Sequence, residues 1–186
     1  MSKLSGGQLD GLAAQVRLCV FDVDGVLTDG KIILGPNNTE FKAFDVKDGQ
    51  GLVMLGEVVE VGIITGRQSQ IVENRMAQLG IRHVYQGQKN KLEALHDMLS
   101  KLRLSPQQVC YVGDDLPDLP VMALVGLPIA VADAVATVKE RAKFCTSAVG
   151  GSGAAREVCE LILRAQGHPI DGSTSLASSA TNGTLS

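Results

Sequence analysis

The fold is decided by the stretch FDVDGVLTDG at residues 21–30. It continues the apolar run RLCVF at residues 17–21, which has the length and composition of a buried strand. Two carboxylates, Asp22 and Asp24, therefore follow directly from the end of a predicted strand. Ligands bind at the carboxyl ends of the strands in open parallel sheets, so this loop is a candidate site. A surface turn rich in Asp and Gly is the simpler interpretation, and this stretch alone does not exclude it.

On either side of this stretch, short apolar runs alternate with amphipathic segments. The alternation predicts an α/β fold, a three-layer Rossmann-like parallel sheet with helices on both faces. We predict strands at residues 17–21, 60–65, 83–86, 109–113, 127–131 and 143–146. We predict helices at residues 48–56, 68–79, 89–102, 116–125, 135–141 and 153–166.

A β-hairpin insertion is predicted after the first strand, at residues 31–45. Its two strand-like halves flank the sequence GPNN at residues 35–38, and Gly and Asn are residues that tight turns favour. We expect residues 1–16 to be a short N-terminal lead and residues 17–168 to form one domain. Residues 169–186 are rich in Ser, Thr, Gly and Ala, so we expect a flexible C-terminal tail.

The composition argues against several classes of protein. The net charge is −3, and no basic stripe marks a nucleic-acid surface. No apolar run approaches the roughly 18 residues that a membrane span needs, and the start of the chain lacks the apolar core of a secretory signal. The cysteines form no CxxC pair, so we expect buried, reduced thiols and a cytoplasmic protein. The cysteines are Cys19, Cys110, Cys145 and Cys159.

A second motif, ITGR, ends the predicted strand at residues 60–65. The Thr65 hydroxyl and the backbone N–H groups of Gly66 and Arg67 would suit the oxygens of a phosphate group. Taken alone, Thr65 is more simply a junction residue between a strand and a helix. The same reservation applies to Lys91 in QGQKNK, because a single Lys on a charged helix is usually solvated.

A third strand-end motif, GDDLPD, contains Asp114, Asp115 and Asp118. Three acids clustered where a strand ends repel one another, and a bound cation would offset that repulsion. Asp22 and Asp114 would offer the hard oxygen ligands that Mg²⁺ prefers. Together the motifs predict a phosphoryl-transfer site in which Mg²⁺ and a Lys neutralise charge while the Asp22 carboxylate attacks phosphorus.

In this order along the chain, DxDGVLTDG, ITGR, a downstream Lys and GDDxxDLP resemble the motifs of the haloacid dehalogenase superfamily of aspartate-nucleophile phosphatases. The resemblance covers residues 17 to about 160 and implies a Mg²⁺-dependent phosphatase with an aspartyl-phosphate intermediate. The implied catalytic residues are Asp22 as nucleophile, Asp24 as general acid and base, and Thr65 and Lys91 as phosphoryl-binding groups. The implied metal ligands are Asp22, Asp114 and the backbone carbonyl of Asp24, with Asp115 and Asp118 supporting the metal shell.

The gaps between the motifs are too short for a cap domain, since an independent domain needs about 50 residues or more. The active site should then be open, and neighbouring chains of a homo-oligomer are the economical means of covering it. With FDVKDGQGL at residues 44–52 and GGSGAAREV at 150–158, the chain resembles the capless branch of the superfamily. That resemblance implies a homotetramer with shared active sites, in which the hairpins meet at the centre and C-terminal tails lie beside neighbouring sites.

The resemblance to the capless branch also implies a substrate, an eight-carbon acidic sugar phosphate of lipopolysaccharide synthesis, bound in part by Gly66 and Arg67. The guanidinium fork of Arg67 matches a carboxylate or a phosphate, although a surface Arg at a helix start is the competing interpretation. Two other functions stay open. One is a phosphatase for another sugar-acid phosphate or for small metabolites in general, and the other is a non-catalytic oligomerisation module.

Overall fold

A sheet of six parallel strands forms the centre of the molecule, and the computed structural model describes residues 5–170. The sheet strands are β1 (Leu18–Phe21), β4 (Glu60–Ile64), β5 (His83–Tyr85), β6 (Val109–Gly113), β7 (Leu127–Ala130) and β8 (Phe144–Cys145). Two further short strands, β2 (Ile33–Leu34) and β3 (Glu40–Phe41), form a separate antiparallel hairpin. The α/β sheet and the hairpin insertion are as predicted.

The helices follow the strands, as expected for a parallel sheet whose connections cross over its faces. They are α1 (Gly6–Ala13), α2 (Val46–Gly56), α3 (Gln70–Gln78), α4 (Lys91–Leu102), α5 (Leu119–Met122), α6 (Ala136–Arg141) and α7 (Ala154–Ala165). None of the helices in residues 5–170 is long and apolar enough to cross a membrane.

The strand order β5-β4-β1-β6-β7-β8 places β1 near the middle of the sheet. All four residues of β1 are buried, because helices cover both faces of the sheet. Its neighbours are β4 and β6, so the loops that follow these three strands lie side by side at one edge. This order brings the predicted motifs together.

The predicted helix at residues 116–125 is shorter and broken in the structure. Residues Leu116–Asp118 form a 3₁₀ turn, and α5 covers only Leu119–Met122. Pro117 and Pro120 each lie in the first turn of one of these two pieces, where their missing N–H group costs no hydrogen bond. Two prolines this close do not fit the interior of a single long helix, which explains the difference.

Helix α1 lies in the segment for which we predicted no element. Its sequence, GGQLDGLA, has three glycines and only a weak apolar pattern, so periodicity did not reveal it. The helix packs against α7, and the side chain of Gln166 donates to the carbonyl of Val16 at 2.8 Å. Tertiary contacts, more than local propensity, therefore stabilise α1.

The cysteines are free thiols, and Cys19, Cys110 and Cys159 are buried as predicted. Cys145 is only half-buried, because β8 lies at the edge of the sheet. The predicted flexible tail falls largely on residues 171–186, which lie outside the described part of the chain.

Candidate active site

The candidate site lies at the carboxyl edge of β1, β4 and β6. Phe21 at the end of β1 pairs with Ile63 of β4 and Val112 of β6, so the next residues of all three strands converge. The backbone N–H of Asp22 donates to the Val112 carbonyl at 3.1 Å and continues the sheet hydrogen bonding by one residue. Asp22 is therefore held by the sheet itself.

The Asp22 carboxylate is buried and paired with Lys91. Its Oδ1 accepts a hydrogen bond from the N–H of Val23 at 2.7 Å, and its Oδ2 lies 2.7 Å from Lys91 Nζ. Burial raises the pKa of Asp22 to about 6, although the Lys91 ammonium opposes the shift. Burial acts to lower the pKa of Lys91, but the charges of Asp22 and Asp118 outweigh it and raise that pKa. Lys91 is thus a fixed cation beside the predicted nucleophile.

Asp118 is fully buried behind this pair and accepts four hydrogen bonds. Its Oδ1 accepts from Lys91 Nζ and from the Tyr111 hydroxyl, each at 2.7 Å. Its Oδ2 accepts from the backbone N–H groups of Asp114 and Asp115, at 2.9 and 3.1 Å. A carboxylate has about four acceptor positions. In this arrangement Asp118 has none free for an ion, and instead it orients Lys91 and the loop that bears Asp114.

The donor set fits a divalent cation with hard oxygen ligands. Asp22 and Asp114 can supply these ligands, because their carboxylate oxygens lie within 4.8 Å of one another and of an Asp118 oxygen that is already hydrogen-bonded. Asp114 Oδ1 is buried and has no hydrogen-bond partner among the residues that the structure describes, which is costly for a carboxylate oxygen. Burial, reinforced by the charges of Asp118 and Asp22, raises the pKa of Asp114 to about 7. A Mg²⁺ ion would satisfy the orphaned oxygen and relieve the repulsion.

Two glycines let the backbone approach these carboxylates. Gly25 has a φ of +94°, and a Cβ atom there would lie 2.2 Å from Asp114 Oδ2. A Cβ atom at Gly113 would lie 2.6 Å from the Asp118 carboxyl carbon. Any side chain at either position would displace a carboxylate of the cluster.

The loop that bears Asp22 and Asp24 packs against the segment GGSG at residues 150–153. The N–H of Gly151 donates to the Val26 carbonyl at 2.9 Å, and a Cβ atom at Gly150 would lie 1.9 Å from the Gly25 carbonyl oxygen. The buried Asp48 of α2 accepts from the N–H groups of Gly153 and Arg156 and so caps the start of α7. In the sequence, both segments carry significance only as part of the family resemblance.

The other predicted site residues differ in burial: some lie in the interior and others are exposed. Thr65 is buried at the end of β4, and its N–H donates to the Tyr85 carbonyl at 2.9 Å, whereas Gly66 is exposed beside it. Asp115 is exposed, and its carboxylate caps the N–H of Leu116 at 2.8 Å. The Asp115 carboxylate therefore lies outside the cluster of Asp22, Asp114 and Asp118, and its support for the metal shell stays a prediction.

Two charged residues of the site were missed by sequence analysis, Glu40 and Lys42 of the hairpin. Lys42 Nζ pairs with Asp24 Oδ1, and Glu40 Oε1 accepts from Arg67 at 2.9 Å. Arg67 therefore meets a carboxylate of the protein itself. A Glu and a Lys alternating on a hairpin are usually solvated, so the sequence pattern offered no signal for either.

The raised pKa values of Asp22 and Asp114, the candidate metal ligands, lead to a prediction about Mg²⁺ binding. Mg²⁺ needs both carboxylates ionised, so binding should release protons below about pH 7, and the apparent affinity should fall as pH is lowered from 7.5 to 5.5. Both pKa values are raised above those of the unfolded chain. The metal-free protein should therefore lose stability as pH rises from about 4 to about 7.

Isothermal titration of Mg²⁺ at pH 7.5 and 5.5, in buffers of different ionisation enthalpy, measures the affinity and the protons released. Thermal unfolding of the metal-free protein between about pH 4 and about pH 7 measures the stability change. Equal affinities at both pH values with no proton release would contradict the prediction.

The chain is similar to known proteins over most of its length. Residues 64–158 match a model of the haloacid dehalogenase-like hydrolase family. The chain is 55% identical over 156 residues to the 3-deoxy-D-manno-octulosonate 8-phosphate phosphatase KdsC of Escherichia coli K12, and the alignment covers 83% of each protein. It is 49% identical over 166 residues to the protein of the same name from Yersinia pestis, covering 89% of this chain and 88% of the relative.

Solved structures are similar over most of the chain. A 3-deoxy-D-manno-octulosonate 8-phosphate phosphatase from Moraxella catarrhalis, solved with a magnesium ion, a phosphate ion and a KDO molecule, superposes with a TM-score of 0.87. It is 39% identical and covers 94% of this chain and 99% of its own. The Yersinia pestis phosphatase superposes with a TM-score of 0.83 at 49% identity, covering 86% of each chain.

Proposed function

Because this chain belongs to the haloacid dehalogenase-like hydrolases, we propose that it is a Mg²⁺-dependent phosphoric monoester hydrolase specific for 3-deoxy-D-manno-octulosonate 8-phosphate. The products are the free sugar acid, for lipopolysaccharide precursor synthesis, and phosphate. The observation that supports the chemistry is the buried Asp22–Lys91 pair beside the unsatisfied Asp114 oxygen. The identity of 55% to the named phosphatase supports the choice of substrate.

The first chemical step forms an aspartyl-phosphate. An Asp22 oxygen attacks phosphorus, the bond from phosphorus to the sugar oxygen breaks, and the Asp24 carboxyl donates its proton to the leaving alkoxide. Lys91, held by Asp118, binds a phosphoryl oxygen, and Thr65 and the N–H of Gly66 bind others. Mg²⁺, when bound by Asp22, Asp114 and the Asp24 carbonyl, supplies further neutralisation of the phosphoryl charge.

The second step releases phosphate. Asp24, now a carboxylate, removes a proton from a water molecule, and that water attacks the phosphorus of the aspartyl-phosphate. The bond to the Asp22 oxygen breaks and the nucleophile is restored. Arg67 keeps a partly exposed side chain while paired with Glu40, and its guanidinium group would contact the anionic groups of the substrate.

Substrate specificity is tested by ranking kcat/KM over a panel of phosphorylated sugar acids and simple hexose phosphates, since that ratio measures transition-state discrimination. We expect the octulosonate 8-phosphate to exceed a hexose 6-phosphate by at least about 100-fold, because the carboxylate of the sugar acid adds a charge-assisted contact. A matched pair of esters, the sugar acid with and without its carboxylate, serves as the control. Comparable values across the panel would favour a phosphatase for small metabolites in general.

A homotetramer with shared active sites is part of the proposal. The hairpin exposes four large apolar side chains, those of Ile32, Ile33, Leu34 and Phe41. Ile33 and Phe41 are directly opposite each other in the two-stranded sheet, on the face away from Glu40. An apolar surface of this kind is typical of an interface. Light scattering of the full-length chain would show a mass near four times 19.5 kDa, and a monomer would contradict the proposal.

We propose that residues 17–168 form the hydrolase domain and that residues 31–45 are its hairpin insertion, preceded by a lead at 1–16 and followed by a tail at 169–186. A cytoplasmic location is proposed from the reduced thiols and the precursor-synthesis role.

A further inference from the structure

The hairpin residue Lys42 lies directly against the predicted general acid and base. Its ammonium group pairs with Asp24 Oδ1 and lies 3.5 Å from Glu40 Oε1. The Lys42 side chain is only 2% exposed, whereas that of Asp24 is 21% exposed. A long, flexible cation is therefore almost completely removed from water beside a carboxylate that stays accessible.

Burial of this kind carries two free-energy costs. Lys42 loses side-chain conformational entropy and the hydration of its charge. Ordinary surface lysines avoid both, as Lys31 does at the base of the same hairpin, where its side chain is 76% exposed in its pair with Asp29. The burial of Lys42 against Asp24 is therefore a specific arrangement that its two carboxylate partners stabilise.

The pairing differs between the two oxygens of Asp24. Lys42 holds Oδ1. Among the cationic groups of residues 5–170, only Arg67 approaches Oδ2 within 4 Å, and its Nε atom lies 3.8 Å away, which is beyond hydrogen-bond distance. A general acid must present one oxygen to the leaving group in a fixed direction. An arrangement that anchors one oxygen and leaves the other without a close cation, on a side chain that is 21% exposed, meets this requirement.

The hairpin also contacts the second loop of the site, because Glu40 accepts a hydrogen bond from Arg67 at 2.9 Å. Neighbouring residues of one short hairpin thus contact the loops after β1 and β4 at the same time. The hairpin therefore links the two loops through one charged contact to each.

We propose that Lys42 is a positioning residue for proton transfer: it anchors one oxygen of Asp24 so that the other faces the leaving oxygen of the substrate. The inference rests on the proposed phosphatase function. In the step concerned, the Asp24 carboxyl gives its proton to the alkoxide as the ester bond to phosphorus breaks, and Lys42 itself transfers no proton.

The experiment compares Lys42→Met with the matched control Lys31→Met on two substrates, the octulosonate 8-phosphate and p-nitrophenyl phosphate, at saturating Mg²⁺. The value of kcat/KM reports steps up to cleavage of the ester, and p-nitrophenolate leaves without protonation. We expect Lys42→Met to lower kcat/KM about 10- to 100-fold for the sugar ester and less than about threefold for the nitrophenyl ester. Lys42→Arg should restore part of the loss, and Lys31→Met should change neither value by more than about twofold.

The ratio of the two values is measured on one sample, so it does not depend on how much of the variant is folded or assembled. An equal loss on both substrates, or no loss, would overturn the inference. In an Asp24→Asn background, Lys42→Met should have almost no further effect, because the two residues act as one unit. If Lys42→Met still lowered kcat/KM for the sugar ester in the Asp24→Asn background, the positioning role would be overturned, since Lys42 would then contact the substrate. Wild-type protein inactive on both esters would instead refute the proposed function.

Discussion

Replacement of Asp22 by Asn is expected to lower kcat by about 10⁴-fold or more, the scale seen when a nucleophile is removed. The amide has almost the shape of the carboxylate but cannot attack phosphorus, so no aspartyl-phosphate forms. The fold should survive, because Lys91 keeps its 2.7 Å contact with Asp118. Burial already disfavours the charged form of Asp22, since it raises the pKa of this carboxyl, so a neutral side chain is tolerated there.

Two measurements test this expectation. Steady-state hydrolysis of the sugar ester and of p-nitrophenyl phosphate gives kcat, and acid quenching after mixing with radiolabelled substrate detects the covalent phosphoenzyme. Asp29→Asn is the matched control, because Asp29 belongs to the same loop but is exposed and pairs with Lys31. That control should keep kcat within about twofold. Label retained by Asp22→Asn, or activity within tenfold of wild type, would refute the nucleophile assignment.

Replacement of Lys91 by Met is expected to affect both activity and stability. The variant loses a cation 2.7 Å from Asp22, the proposed nucleophile, and loss of a preorganised group of this kind lowers kcat by about 10²- to 10³-fold. It also leaves two buried carboxylates, Asp22 and Asp118, without their shared partner. Breaking a buried ion pair from one side typically costs about 3–5 kcal/mol of unfolding free energy.

The matched control for this variant is Lys101→Met on the same helix. Lys101 lies 2.7 Å from Asp97, the same distance as in the buried pair, but both side chains are about half exposed or more. Replacing Lys101 should lower the free energy of unfolding by less than about 1 kcal/mol and leave kcat unchanged. Urea unfolding without Mg²⁺ measures the stability of both variants. Equal effects of the two substitutions would contradict the role assigned to burial.

The positions of Asp22, Thr65 and Asp114 could be predicted because they depend on one general property of parallel sheets. Each residue follows an apolar run, and the carboxyl ends of parallel strands lie at the same edge. Local sequence patterns do not predict the strand order, which places β1 between β4 and β6. Had another strand separated them, the same motifs would not have met.

The roles of Asp115 and Asp118 could not be separated from the motif alone. The two acids are three residues apart in GDDLPD, yet Asp115 caps a turn in solvent and Asp118 accepts four hydrogen bonds in the interior. The 3₁₀ turn between them decides which side chain points inward. Turns of this kind depend on side-chain hydrogen bonds that periodicity does not reveal.

The sequence by itself determined the fold class, the hairpin insertion and which acids follow the central strands, because strand-length apolar runs and acids at their ends are local patterns. Only the tertiary structure decided which charges meet. FDVDGVLTDG marked Asp22 and Asp24 as a pair, but Lys91 contacts Asp22 from α4 and Lys42 contacts Asp24 from the hairpin. Whether a lysine is solvated or buried against a carboxylate depends on how distant segments pack, and no local pattern encodes that packing.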